Sequence, residues 1–155
     1  MNKELKDLVQ ATQQRWANYI LAIGAAYKRN ENFDDLVTEL LDGVYAFQHS
    51  DVLFKPTLAK INQFRSKREE FISYFLGKNN VCPEDTGFAI KDWKSIKFEN
   101  FKIIANDDFI LSMGNYYFED KNDKLLKVEY TFGFIKVEKN ELRINLHHSS
   151  LPFSN

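Results

Sequence analysis

Cysteine, histidine, proline and glycine are scarce in this 155-residue chain, with one, three, three and six copies respectively. A lone Cys82 excludes an internal disulfide and any multi-thiolate zinc site, and leaves the redox compartment open. Three histidines are few for a zinc centre, which takes about three protein ligands converging on one ion. His49 lies on a separate segment, and side-chain alternation turns the neighbours His147 and His148 apart. A His-based metal site is therefore disfavoured. No charge of one sign prevails: 21 basic against 22 acidic residues leave a net charge of -1, so no overall field favours nucleic acid or an anionic membrane. No run approaches the roughly 18 apolar residues of a membrane-spanning helix, and the opening MNKELKDLVQ lacks the apolar core of a secretory signal. As written, the chain is expected in the cytoplasm, or in a periplasm or organelle if a targeting segment has been removed. No repeat, low-complexity tract or second domain interrupts it, so residues 1–155 read as one domain.

What the chain does have is aromatic bulk, with 14 Phe, seven Tyr and two Trp. Large flat rings suit the inner wall of a sheet covered by helices. Leu5, Leu8, Val9, Trp16, Ile20, Ile23 and Tyr27 recur at helical spacing, which predicts a long first helix over 5–27. Leu36, Val37, Leu40, Leu41, Val44 and Tyr45 repeat the pattern in 33–47, with Asp34 and Asp35 suited to a first turn. Ser66-Lys67-Arg68-Glu69 has capping-box spacing and Gly77 can supply a stop, so a third helix is expected over about 67–76. Beyond Trp93 the pattern changes to four β-rich runs, 95–105, 109–119, 126–138 and 142–150, joined by polar turns at 106–108, 120–123 and Lys139-Asn140. Helices followed by hairpin-connected strands imply an α+β fold with helices packed on one face of an antiparallel meander.

The segment His147-His148-Ser149-Ser150 ends the last of these runs with polar groups that a strand does not need. If the strand stays regular, Leu142, Ile144, Leu146, His148 and Ser150 share the inward face, while His147 and Ser149 point out; a β-bulge would exchange them. Tyr74 belongs to a stripe with Phe71 and Phe75, and a buried phenol seeks a partner for its hydroxyl. Thr57 follows Lys55-Pro56 in an extended segment and can present a hydroxyl. Of the adjacent pair Tyr116 and Tyr117, the neighbours Leu111 and Met113 favour Tyr117 as inward and substrate-binding. No Gly-x-Ser-x-Gly elbow occurs and no carboxylate is placed to orient a catalytic Ser–His pair, so the hydroxyls read as binders.

Four ordered segments, Val52-Leu53-Phe54-Lys55-Pro56-Thr57, Gly114-Asn115-Tyr116-Tyr117-Phe118, Val128-Glu129-Tyr130-Thr131-Phe132-Gly133 and LRINLHHSSLPF from Leu142 to Phe153, together resemble the iota-class carbonic anhydrases of bacteria and algae. That family in turn resembles the association domain of calcium/calmodulin-dependent protein kinase type II, which shares the His-His-Ser-Ser ending and a cone-shaped, nuclear-transport-factor-2-like fold. The resemblance implies a strongly bent antiparallel sheet wrapped around the helices, and assembly through the sheet into a homodimer or larger homo-oligomer. It implies reversible hydration of carbon dioxide to bicarbonate, with Thr57, Tyr74, His148 and Ser150 at catalytic positions and Thr57, Ser150 and Tyr117 touching substrate. Members are metal-free or use manganese or zinc, so the resemblance leaves the cofactor open; the histidine count favours no metal. The chain departs from the HHHSS form of relatives by carrying Leu146 in place of a third His, and it shows no targeting peptide. The alternative is a non-catalytic oligomerisation or small-molecule-binding domain of the same fold. A further one, an isomerase or dehydratase, would need an inward acid or base that Glu99 and Glu129 do not clearly supply.

Overall fold

A computed structural model describes residues 3–138 and 140–155. Its elements are α1 (Lys3–Lys28), α2 (Asp34–Gly43), β1 (Leu53–Lys55), α3 (Arg68–Leu76), β2 (Ser95–Ala105), β3 (Ile110–Glu119), β4 (Leu125–Glu138) and β5 (Glu141–Ser150). The three helices and the four long strands lie where periodicity places them. Lys139 of the expected last turn is outside the described residues, while Asn140 takes a positive φ of 66°, the left-handed conformation that Asn tolerates in tight turns.

The expected strongly bent, cone-shaped antiparallel sheet is not what forms. The five strands make an open sheet in the order β1-β5-β4-β3-β2, neither strongly curled nor closed. The sheet is also mixed, because β1 runs parallel to β5, with Leu53 opposite Leu146, Phe54 opposite His147 and Lys55 opposite His148. Three residues of strand between helical segments carry too little alternation to announce themselves. Once formed, β1 shields the β5 edge and places Phe54 beside His147.

Two local differences from the expected elements shape the core. The second helix stops at Gly43 rather than running to Phe47, because the chain peels off to bridge β5: Ala46 N donates to Ile144 O at 2.8 Å and Ile144 N to Val44 O at 2.8 Å. That detour aims the Tyr45 ring into the core instead of along a helix face. At the start of α3 it is Glu70, one residue later than the capping box predicts, whose carboxylate accepts from the backbone N–H groups of Ser66 and Lys67, both at 3.0 Å.

The inward face of the sheet and the helices enclose one aromatic core. Trp16 of α1 stacks near Tyr116 and Phe118, with centroids 5.6 and 6.2 Å apart, and meets Phe132 edge-on at 6.2 Å. Pairs of this kind add about 0.5–1.5 kcal/mol each beyond the area they bury, so any polar group inserted among these rings is held in a stiff surround.

Candidate functional site

Alternation along β5 breaks at one point, and the break decides which polar groups enter the core. Gly133 of β4 lies opposite Leu146, yet the next residue, Phe134, lies opposite Ile144, so Asn145 is the extra residue of a bulge. Before the bulge Leu142 and Ile144 are buried; after it His147 and Ser149 are, each 1% exposed. The expected inward placement of His148 and Ser150 is thereby corrected. His148 is exposed, and Ser150 lies on the outer face with its Oγ donating to Glu129 Oε1 at 3.1 Å. Leu146 is likewise on the outer side of the bulge, so the departure from an HHHSS pattern does not touch the buried groups. Gly133 gives the bulge room: a Cβ there would stand 3.0 Å from Leu146 Cβ and 3.1 Å from Asn145 Oδ1, tighter than ordinary contact.

On β3 the inward residue is Tyr116, 1% exposed, not Tyr117. The Tyr117 hydroxyl points away and donates to Glu99 Oε1 at 3.1 Å. Inward parity on β3 follows Ile110, Ser112, Tyr116 and Phe118; Leu111 and Met113, which their hydrophobicity predicts to be inward, lie on the uncovered face.

The buried groups form a connected chain. Tyr116 OH is 2.6 Å from Ser149 Oγ and 3.0 Å from His147 Nε2, and Tyr45 OH is 2.8 Å from His147 Nδ1. Ser149 Oγ is 2.5 Å from Thr57 Oγ1. The Tyr74 phenol accepts from the N–H of Leu58, the residue after Thr57, at 3.2 Å. Thr57 and Tyr74 thus lie near one another through Leu58, and Thr57 meets Ser149 rather than Ser150. The imidazole is held between rings, stacked on Phe54 at 4.6 Å and edge-on to Phe132 at 4.6 Å.

Burial sets the protonation of the whole group. Desolvation pushes the phenols of Tyr45, Tyr74 and Tyr116 well above the usual tyrosine range, so all three remain hydrogen-bond donors near neutral pH. Desolvation, with a smaller push from His148, holds His147 well below the usual histidine range, so it is neutral there. Among the described residues no group of three or more His, Cys, Asp or Glu could hold a metal ion. A site of uncharged hydroxyls and one neutral imidazole can bind a small anion through dipoles alone.

The model of a protein family described as metal-independent carbonic anhydrase matches residues 7–151. The chain belongs to that family. It is 36% identical over 148 residues to the metal-independent carbonic anhydrase of Nostoc sp., an alignment covering 94% of this chain and 72% of the relative. Its structure is similar to that of a cyanobacterial iota-carbonic anhydrase complexed with bicarbonate, with a TM-score of 0.89, 34% identity, and coverage of 96% of this chain and 93% of that one. A protein assigned as a calcium/calmodulin-dependent protein kinase II association domain, from Xanthomonas campestris, shares the fold at a TM-score of 0.56 and 21% identity, covering 93% and 85% of the two chains. This metal-independent carbonic anhydrase thus catalyses reversible hydration of carbon dioxide to bicarbonate.

Two elements border the buried cluster. Lys55 of β1 donates from Nζ to Ser149 O at 3.1 Å and so ties the edge strand to the serine it flanks. Beside Tyr74 opens a cavity of about 210 Å³, bordered by Leu58, Glu84, Gly87, Phe88 and Lys91 among others. That is several times the roughly 30 Å³ that a water molecule occupies in the liquid. Periodicity leaves Trp16 and Tyr45 in the general core and misses the buried roles of Tyr116, His147 and Ser149. Gly133 is the signal that could have found the last two, because an isolated Gly inside a strand pattern marks a bulge or a close backbone approach.

Proposed function

We propose that the hydroxyls of Thr57, Tyr74 and Ser149 seat the reacting water and the bicarbonate, with Tyr116 and His147 holding Ser149 in place. The observation that carries this reading is the convergence on Ser149 of hydroxyls from a loop and a neighbouring strand, at 2.5 Å from Thr57 and 2.6 Å from Tyr116. Carbon dioxide is apolar and fits against the rings next to Tyr74, where Phe54 and Phe88 lie with centroids 5.5 and 5.6 Å away. As the water oxygen bonds to carbon, one C=O electron pair moves onto oxygen and one water O–H bond breaks. The charge grows on oxygens that the donors already face, a preorganised arrangement that acts most strongly where water is excluded. Neutral phenols suit that donor role and do not suit the role of base. The proton leaves by the open side, the cavity next to Tyr74, since the opposite side is closed by Trp16, Phe118 and Phe132. Chelator-treated protein, shown metal-free by elemental analysis, is expected to keep its kcat in stopped-flow hydration. Loss of activity on chelation, restored by one metal, would overturn the reading.

We also propose that the uncovered sheet face joins two copies of the chain. Phe101, Ile104, Leu111 and Met113 are exposed there, and with Lys102, Ser112 and Thr131 they line an apolar depression of about 190 Å³. Contiguous apolar surface of this kind on a sheet calls for a partner, and the same strip on a second copy is self-complementary under a two-fold axis. Sedimentation at tens of micromolar is expected to give a dimer, and Leu111→Lys with Met113→Lys a monomer. A monomeric parent protein would dismiss the proposal.

A further inference from the structure

The hydrogen bonds around His147 have a direction, and the inner end sets it. An indole N–H only donates, and Trp16 Nε1 lies 3.0 Å from Tyr45 OH. Tyr45 is fully buried, and among the described residues the one other side-chain bond of its hydroxyl is to His147 Nδ1, at 2.8 Å. Its oxygen accepts from Trp16, so its single hydrogen has one place to go; leaving it unpaired would carry the full desolvation penalty of a buried donor. His147 Nδ1 is therefore the acceptor. Because burial keeps the ring neutral, its proton sits on Nε2 and is donated to Tyr116 OH, 3.0 Å away. Tyr116 then donates to Ser149, and Ser149 to Thr57. The hydrogens of Thr57 and of Tyr74, whose oxygen accepts from Leu58 N–H at 3.2 Å, are then left for the open side.

We propose that Trp16 and Tyr45 are positioning residues that lock His147 as the Nε2–H tautomer, so that the hydroxyls donate in one direction, Tyr116 to Ser149 to Thr57, and the hydrogen at the Thr57 end is presented to the bound anion. The inference rests on the hydroxyl reading of the site. It adds a reason for the imidazole: His147 transfers no proton in the reaction and serves as a relay of orientation between a donor-only indole and the serine. With the opposite tautomer, Nδ1–H would compete with Trp16 for the Tyr45 oxygen. Nε2 would then take the Tyr116 hydrogen, and Ser149 would be met by a lone pair where a donor is required.

Nitrogen-15 NMR of the substrate-free protein labelled at histidine reads the tautomer directly. His147 is expected to show a protonated Nε2 and an unprotonated Nδ1, unchanged from about pH 6 to 8, the range in which an ordinary histidine titrates. In Tyr45→Phe, which keeps the ring but removes the donor to Nδ1, the two tautomers are expected to mix. The kcat for hydration should fall roughly five- to tenfold, the scale of one hydrogen bond, with KM for carbon dioxide unchanged because the apolar contacts are untouched. Trp16→Phe should give the same spectral mixing in weaker form. An Nδ1–H or cationic His147 in the parent protein would overturn the inference whether or not the variants fold, as would a Tyr45→Phe spectrum still purely Nε2–H. A locked tautomer in a protein whose Ser149→Ala variant hydrates carbon dioxide normally would leave the tautomer assignment intact and remove the hydroxyl reading instead.

Discussion

Ser149→Ala is expected to lower kcat/KM for carbon dioxide hydration by about 10²–10³-fold, the usual cost of removing one preorganised donor from a developing oxyanion. Tyr74→Phe should fall in the same range. Ser149 is the node of the site, bonded to Tyr116 on one side and Thr57 on the other. Its loss removes one donor and also leaves the Tyr116 hydrogen without its acceptor in a fully buried position, a penalty of about 1–3 kcal/mol in stability. Circular dichroism and a melting curve must therefore accompany the rate. The control is one residue away. Ser150 bonds Glu129 on the outer face, and surface changes of that kind are usually within about 0.5 kcal/mol, so Ser150→Ala and His148→Ala should hydrate carbon dioxide within twofold of the parent. Equal rates for Ser149→Ala and Ser150→Ala in stopped-flow would refute the assignment of the inward face.

The contrast between those two serines also measures what could be read in advance. Helix positions and the four long strands follow from periodicities that local residues carry, whereas Thr57 and Tyr74 are singled out through the resemblance to the family. The family likewise follows from short ordered segments. The faces of β3 and β5 do not. On β5 the apolar markers Leu142 and Ile144 lie before the bulge and the polar quartet after it, so alternation continued through Asn145 assigns every site residue to the wrong side, as a one-residue slip must. On β3 Leu111 and Met113 are hydrophobic because they lie in the exposed apolar strip, not because they face the core; a rule that equates apolar with inward has no defence against a second apolar surface. Gly114 repeats the logic of Gly133. It lies opposite the β2 irregularity between Asn100 and Lys102, where an added Cβ would stand 2.6 Å from Phe101 N. These two bulges are thus marked by a glycine on the partner strand, while the third irregularity, between Lys136 and Glu138, has none opposite it; the signal is present in the sequence but becomes usable only when the pairing is known.

Replacing Arg65 by Met is expected to destabilise the fold by about 3–5 kcal/mol, because it leaves a buried carboxylate without its counter-charge. Arg65 is 2% exposed, and its guanidinium meets both oxygens of Asp85, at 2.5 and 2.8 Å. The remaining donors reach Asn62 O at 3.0 Å and Glu70 O at 3.1 Å. Asp85 accepts in addition from Ser73 Oγ at 2.5 Å, the neighbour of Tyr74 on α3. Through its backbone Arg65 bridges Phe54 by two bonds of 2.8 Å, and its Cζ lies 5.6 Å from the centre of the Tyr74 ring. One side chain thus fastens the loop that carries Thr57 to the helix that carries Tyr74. Glu84 reinforces the loop by accepting from the backbone N–H groups of Lys60, Ile61 and Asn62. In a domain of this size about 2–4 °C of melting temperature accompanies each kcal/mol, so Arg65→Met should melt roughly 6–20 °C below the parent. The double variant Arg65→Met with Asp85→Leu should recover most of the loss, since buried pairs replaced by apolar groups of similar volume are often neutral or better. Urea unfolding decides between a costly orphaned charge and a contact of little consequence. A single-variant loss under about 1 kcal/mol would show that solvent reaches Asp85 and that the pair holds neither the loop nor Tyr74.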